Sequence, residues 1–373
     1  MLFLRSKSYH LYLSEIHLSS FRSFEKANFR FECGINCITG LNGSGKTNLL
    51  NAIYYLCLVK GFSAAQDIVA VKDGNDFFRI VGLMVDSEFT NKIICTFSST
   101  SKKEMHLNDK VYEKLSDHIG FLPAVVVCPD DQQLIDGGSE ERRRYLDVTI
   151  SQTNATYLKH LMDYNRTLSQ RNALLKQLNE NGDSFSEVLI ALDEKLVEDG
   201  EKIFGFRKQA VAELTQFVND FYSKLADARE KISIRYQSHL LESDFMLMLE
   251  QQHQKDIYLQ RTSRGTHRDD LDFEIEGLNV KKFASQGQKK TLLLALKLAQ
   301  FSFIQLHLSK NPLLLLDDIF DKLDEERMHR LLEIISTKNF EQVFITDTGR
   351  LRWKATATPN LPVNFVELKK EIH

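Results

Sequence analysis

A chain of 373 residues is long for one domain, and division by about 150 residues per domain points to two or three. Apolar residues make up 43% and charged residues 27%, the balance of a globular chain with a sizeable core, and a net charge of −3 excludes a polycation, so any nucleic-acid site has to be a local patch. Five cysteines with no C-x-x-C pair and no histidine at ligand spacing point to a reducing cytosol and away from metal binding. The longest apolar run, residues 292–303, is broken by Lys297 and Gln300, so no membrane span and no membrane partner are expected. Residues 1–9 lack the apolar segment of a signal peptide and read as a short extension of a cytoplasmic protein.

In chain order, residues 9–31 alternate in the manner of two strands, with Arg22 in the turn between them, where it either contacts a bound nucleotide or is a solvated turn arginine. The apolar run Gly34-Ile35-Asn36-Cys37-Ile38-Thr39 then enters Gly40-Leu41-Asn42-Gly43-Ser44-Gly45-Lys46-Thr47, which fits the Walker A phosphate loop at every fixed position. Helical spacing of Leu49, Leu50, Ile53, Leu56 and Leu58 follows, so the loop has the strand before it and the helix after it that turn backbone N–H groups toward phosphates. In that setting Lys46 reaches the β- and γ-phosphates of ATP and the Thr47 hydroxyl joins Mg²⁺, and the ATP-binding set is Gly40 to Thr47 with Asn48 and Arg22. Residues 78–85 and 91–97 and the Asn108-Asp109 turn predict antiparallel hairpins. The apolar strand 124–128 ends in Pro129-Asp130-Asp131-Gln132-Gln133, a polar loop suited to a nucleotide-sensing residue, with Asp130 to Gln133 left as alternatives.

From residue 139 to about 228 proline is absent and Leu, Glu, Lys and Gln dominate. Tyr157, Leu161, Tyr164, Leu168, Arg171, Leu175 and Leu178 form a seam with steps of four and three, Asn181-Gly182-Asp183 is a turn, and a second helix carries Leu189, Leu192, Leu196, Ile203 and Phe206 on one face. An antiparallel helical pair projecting from the nucleotide domain is expected. Its basic side chains are either a solvated face or a nucleic-acid surface: Arg142, Lys159, Arg166 and Lys176 are the candidates for DNA contact, while Arg143 and Arg171, beside apolar seam positions, read as packing residues. The basic loop 261–270 suggests an anion nearby.

Ser285-Gln286-Gly287-Gln288 precedes a long apolar helix, and Leu313-Leu314-Leu315-Leu316-Asp317-Asp318 is a Walker B strand that delivers Asp317 to Mg²⁺ and Asp318 to the attacking water. Signature, Walker B and then Leu323-Asp324 is the motif order of ABC-type ATPase heads, in which the Ser and Gly of the signature meet the γ-phosphate held by a second subunit. Walker A and Walker B lie about 270 residues apart, so the helical segment is an insertion between two halves of one head, as in SMC-type proteins. The fold class expected is α/β: a P-loop NTPase of ABC/SMC head type with a mixed sheet and an inserted, mostly helical second lobe. The domains expected are 1–138 and 231–373 as the two halves of the head, with 139–230 as the lobe.

Arg142-Arg143-Arg144-Tyr145-Leu146-Asp147, Tyr164-Asn165-Arg166, Gln170-Arg171-Asn172-Ala173-Leu174-Leu175-Lys176, and His267-Arg268-Asp269-Asp270-Leu271 are not generic to ATPases. With them the chain resembles the RecF family of bacterial recombination mediators over residues 13–348. The resemblance implies an ABC-type ATPase that dimerises on ATP, binds double-stranded DNA beside single-stranded gaps, and works with RecR and RecO to help RecA load. It carries Lys46, Thr47, Asp317 and Asp318 over as the phosphate, metal and catalytic groups, and Ser285, Gln286, Gly287 and Gln288 as the signature acting across the dimer. Asp318 is a base one methylene shorter than the Glu usual in transporters, which fits slow hydrolysis. Asn51 stands where the family usually has Glu, Thr266 where it has Pro, Lys289-Lys290 where it has a Gln-Arg type pair, and Ala64-Ala65 where many members have Ser-x-Arg. An OLD-type nuclease would need an acidic metal-binding domain after Asp324, a transporter subunit would lack the helical insertion, and a non-catalytic module would not need intact Lys46, Thr47, Asp317 and Asp318.

Overall fold

Leu13, Ile16, Leu18 and Phe21 on β1 (Tyr12–Phe21) are buried, and Phe21 pairs with Phe24 to close the turn into β2 (Phe24–Arg30). The computed structural model describes residues 12–63, 66–85, 89–182, 187–226, 230–319, 323–337, 340–348 and 362–368. The N-terminal extension 1–9, the Ala64-Ala65 departure and Asp183 of the inter-helix turn lie outside these. The chain divides into two compact units: the first is residues 1–130, 224–226 and 300–373, the second 131–223 and 227–299.

In the first unit β3 (Gly34–Thr39) leads into α1 (Lys46–Leu58), which is buried along nearly its whole length. After it come β4 (Phe77–Val85), β5 (Thr90–Ser98), β6 (Ser101–Leu107) and β7 (Lys110–Val111), and the antiparallel sheet runs β2-β1-β4-β5-β6-β7. Asn108 and Asp109 both have positive φ, 49° and 66°, as a two-residue hairpin turn requires. Phe21, Tyr55 and Phe78 meet edge to face with centroids 5.4–5.6 Å apart, which seats α1 on this sheet. The apolar β8 (Ala124–Val127) follows.

The second unit begins with α2 (Gln133–Asp136), α3 (Ser139–Thr153), α4 (Ala155–Asn181) and α5 (Glu187–Ala226, whose last three residues belong to the first unit). The Asn154 side chain caps α4 by accepting from Tyr157 N–H at 2.9 Å, and Gly182 ends it at φ 74°. The helical seam is present, but it is not a simple pair. Leu175, Leu178 and Leu189 pack with Ile257 from α6 (Phe245–Leu259), a third helix that follows β9 (Ile232–Gln237). β10 (Asp270–Ile275) and β11 (Leu278–Asn279) complete the sheet β11-β10-β9, and α7 (Val280–Phe283) leads to α8 (Gln286–Leu308), which continues into the first unit. The sequence reading gives residues 231–299 to the head. They belong instead with the helices in the second unit, because a polar interior ties β9, β10 and the loop before β10 to α3, α4 and α5.

That interior is built on four arginines. Arg171, fully buried, donates to Asp193 (2.5 Å), Asp256 (2.8 Å) and Thr262 Oγ1 (2.9 Å). Arg207 donates to Asp147 and Asp269, both at 2.8 Å, and to the Thr266 carbonyl. Arg142 holds Asp270 through two bonds, 2.6 and 3.1 Å, and Arg143 donates to the Asp269 carbonyl. Part of the loop 261–270 is a partner of the chain's own charges: the Asp269 and Asp270 carboxylates take Arg207 and Arg142, the Asp269 carbonyl takes Arg143, and Thr262, Thr266 and Asp269 are each about 1% exposed, while Arg261 and Arg268 stay exposed. Loop charge alone cannot reveal that the balancing groups come from helices 62 to 128 residues away.

His267 sits in the same interior. Its Nε2–H donates to the Thr262 carbonyl (3.0 Å) and its Nδ1 accepts from the Tyr164 hydroxyl (2.8 Å), a neutral ring in one tautomer. Burial pushes its pKa down to about 4, against a bond to the Thr262 carbonyl that favours the charged form. Because the folded value lies below the unfolded one of about 6.5, the unfolded chain takes up the proton first as pH falls. The contribution is complete above pH ~6.5 and is lost progressively down to about 4. Thermal unfolding of wild type against His267→Gln between pH 7 and 4 is expected to show a steeper fall for wild type, worth roughly 3 kcal/mol at most. Equal slopes would remove His267 as the titrating group.

Returning to the first unit, β12 (Leu313–Leu316), α9 (Glu325–Ile335), β13 (Gln342–Asp347) and β14 (Val363–Glu367) complete a parallel sheet of order β14-β3-β13-β12-β8. The register aligns Thr39 with Asp347 and Leu316 with Ile345, so the residues after β3 and β12 and the end of β13 leave the sheet at one edge. Gln342, buried, bonds both the N–H and the carbonyl of Leu13 and so fastens β13 to the antiparallel sheet. α8 is long and apolar enough to cross a membrane by composition, yet 72% of that stretch is buried in the protein, as in a core helix.

Candidate nucleotide site

Asn42, Gly43, Gly45, Lys46, Thr47, Asn48, Asp317, Asp318 and Thr346 line a cleft of about 320 Å³ at that sheet edge. Gly43 and Gly45 have φ of 79° and 97°, and a Cβ on Gly45 would lie 2.9 Å from Ser23 Oγ and 3.0 Å from the Phe24 ring, so only glycine suits the position. Lys46 rests its ammonium on the carbonyls of Gly40 (2.8 Å) and Leu41 (3.1 Å). The Thr47 hydroxyl donates to Asp317 Oδ1 at 3.1 Å, joining the two Walker motifs directly. Burial pushes the Asp317 carboxyl up, the Thr47 and Thr346 hydroxyls pull it back down, and neighbouring Asp318 raises it further. Asp318 is exposed and has φ 53°, the left-handed region that a side chain makes costly.

Sequence reasoning ends β13 at a polar Asp347; the residue of that strand that lines the cleft is Thr346. The signal available was a hydroxyl closing the apolar run Val343-Phe344-Ile345. Arg22, grouped with the ATP-binding residues from sequence, is not among the lining residues: its guanidinium donates to Ser63 Oγ at 3.0 Å. The Asn51 side chain shares that serine and also accepts from Phe62 N–H, so the departure at Asn51 serves the chain just after α1. Gly40, Leu41 and Ser44 shape the loop without lining the cleft. In the second unit Asp131 pairs with Lys297 (2.5 Å) and Gln132 with Asp136 (2.8 Å), which occupies two of the sensing-loop alternatives.

Ser285 and Gln288 form a capping box: Ser285 Oγ accepts from Gln288 N–H (3.2 Å) and Gln288 Oε1 accepts from Ser285 N–H (2.9 Å). Ser285 and Gln286 are exposed at the helix start, where N–H groups favour an anion. Lys289 of the Lys289-Lys290 departure is buried and bonds Asp136 at 2.8 Å. Of the four DNA candidates, Lys159, Arg166 and Lys176 are exposed on α4, with Arg166 paired to Asp163 and Lys176 to Glu180. Arg142 is 8% exposed and fully engaged with Asp270, so it is corrected to a packing residue.

The model of the RecF/RecN/SMC N-terminal domain matches residues 12–357. The DNA replication and repair protein RecF of Flavobacterium johnsoniae is 41% identical over 345 residues, covering 92% of this chain and 96% of that one. The chain belongs to the RecF family. RecF of Bacteroides thetaiotaomicron is 40% identical over 91% of each chain. A solved structure of the recombination mediator RecF with ATP, from the RecFOR pathway, superposes with a TM-score of 0.86 at 31% identity over 93% of this chain and 95% of that one. The Smc head domain of Pyrococcus furiosus, at TM-score 0.54 and 16% identity, shares the fold over 96% of this chain and 94% of that one. The fold is thus that of the ABC/SMC ATPase heads, and as a RecF-family member the chain is a P-loop ATPase of DNA repair.

Proposed function

We propose that this RecF-family ATPase is an ATP-gated DNA-binding switch of recombinational repair and replication restart. The observation that carries the reading is the Thr47 to Asp317 bond at 3.1 Å inside the cleft that Lys46 lines. Two hard oxygen donors at that spacing suit neighbouring positions of an octahedral Mg²⁺, which are about 3 Å apart at usual bond lengths and which this ion fills with one or two protein groups plus water and phosphate. When bound, Mg²⁺ would neutralise charge on the β- and γ-phosphates of ATP. Thr47 and Asp317 would hold it, the loop N–H groups from Asn42 to Asn48 would cradle the phosphates, and Lys46 would move its ammonium from the Gly40 and Leu41 carbonyls to phosphate oxygens. Asp318, exposed at the cleft, would take the proton of the attacking water.

One chain carries one phosphate loop and one signature, so Ser285 to Gln288 would act on ATP held by a second copy, giving an ATP-dependent homodimer. The partners proposed are duplex DNA with gaps or junctions, and RecR and RecO, with assistance to RecA loading as the outcome. Hydrolysis would be slow and DNA-stimulated. Lys159 and Arg166, two helical turns apart on α4, are the best placed of the DNA candidates, with Lys176 further along the same helix. Binding to a gapped duplex across a salt series, with and without ATP and with mass followed in solution, tests the reading. Tighter binding with ATP together with a doubled mass is the expected result, and indifference to ATP in both readouts would overturn it. Arg166→Glu in the same series should weaken binding and lower the salt slope by about one.

A further inference from the structure

Thr346 is 2% exposed, and its hydroxyl stands between the two Walker B aspartates. The Asp318 N–H donates to it at 2.8 Å. A hydroxyl has one proton of its own, and that proton goes to Asp317 Oδ1, 3.0 Å away. The result is a chain of fixed direction, from the Asp318 backbone through Thr346 to the Asp317 carboxylate. It holds a residue whose φ of 53° lies in the left-handed region that few side chains other than Asn and Asp adopt.

We infer that Thr346 is a positioning residue for the ATPase reaction, one hydroxyl that orients the Asp317 carboxylate and pins the backbone of Asp318 in its left-handed conformation. The inference rests on the proposed roles of Asp317 and Asp318. Asp317 Oδ1 accepts from two hydroxyls, those of Thr47 and Thr346. If the Thr47 hydroxyl turns to a cation, Thr346 is the donor that keeps the carboxylate in place. Without it the Asp318 N–H loses its acceptor and the strained backbone can relax, carrying the Asp318 side chain away from the cleft. Mere packing would be served as well by valine, the isostere without the hydroxyl, and β13 already carries Val343, Phe344 and Ile345 before this position.

Thr346→Val, Thr346→Ser and Lys46→Ala are to be compared by single-turnover hydrolysis, equilibrium binding of a fluorescent ATP analogue without Mg²⁺, and thermal unfolding. Thr346→Val is expected to lose about 10- to 100-fold in rate, the usual effect of removing a group that orients a metal ligand. Its Mg²⁺-free affinity should stay within about twofold, and Thr346→Ser should recover most of the rate, because it restores the hydroxyl that completes the relay. A Thr346→Val rate equal to wild type, or a Thr346→Ser rate as low as that of Thr346→Val, overturns the inference. Amide hydrogen exchange on the wild type needs no variant: the Asp318 N–H should be protected although its side chain is exposed, and free exchange there overturns the inference equally. Lys46→Ala reports separately on the site itself. If it hydrolyses ATP as wild type does, the proposed function fails; if it is inactive while Thr346→Val is not, the positioning role alone fails.

Discussion

Asp318→Asn is expected to lower ATP turnover by about 10²- to 10⁴-fold, the range for removal of a general base, while ATP still binds and the protein accumulates as a dimer of doubled mass. The substitution is a clean one. Asn tolerates the left-handed backbone that Asp318 adopts, and the bond from residue 318 N–H to Thr346 belongs to the main chain. What is lost is the carboxylate: a proton-accepting oxygen and the charge beside Asp317. Lys46→Ala provides the contrast, because it removes the ammonium that the Gly40 and Leu41 carbonyls hold beside the cleft and should weaken binding itself. The two variants therefore separate on gel filtration with ATP: Asp318→Asn as a dimer, Lys46→Ala as a monomer. A non-catalytic module, in which nucleotide only orders a dimer, predicts instead that Asp318→Asn behaves as wild type in both mass and dwell time. That outcome would sink the hydrolytic role assigned to Asp318.

The phosphate loop and the Walker B strand were legible because each is a local signal, with residue types at fixed offsets beside a strand or helix end. The strands around Arg22 and the Asn108-Asp109 turn were legible for the same reason, since turn chemistry needs only neighbours. What remained hidden depends on partners distant in sequence. Thr346 is unremarkable until parallel pairing of β12 with β13 brings it to Asp317, 29 residues away. Arg142 resembles a DNA-facing charge until Asp270 is found 128 residues later. The stretches that carried the family resemblance turn out to share one physical role. Arg142, Arg143 and Asp147, Tyr164, Arg171 and Asn172, and His267, Asp269 and Asp270 all belong to the polar interior of the second unit. A charge pattern distinctive enough to identify the family is here largely architectural.

Arg207→Met is expected to cost the second unit about 3–5 kcal/mol, the usual effect of removing one partner from a buried ion pair. Arg207 is 2% exposed, and its bonds to Asp147, Asp269, the Thr266 carbonyl and the Tyr157 hydroxyl leave it no route to water. Burial alone would lower its pKa, but the surrounding acidic groups of Tyr157, Asp147, Asp269 and Tyr236 more than offset that and hold it well above the usual arginine range. Loss of the guanidinium strands two carboxylates, one of them 1% exposed, and leaves the Thr266 carbonyl without that donor. Lysine cannot repair the site, because one ammonium does not reproduce the fork that spans α3 and the loop before β10. The uncompensated charge itself is tested by Arg207→Met/Asp147→Asn/Asp269→Asn, which neutralises all three groups and should recover a substantial part of the loss. The readout is the thermal midpoint, falling by about 10 °C in the single variant for a unit of this size and by clearly less in the triple one. A single variant as stable as wild type would show that packing, not the arginine, holds β10 to the helices; a triple variant no better than the single would assign the loss to the missing hydrogen bonds rather than to buried charge.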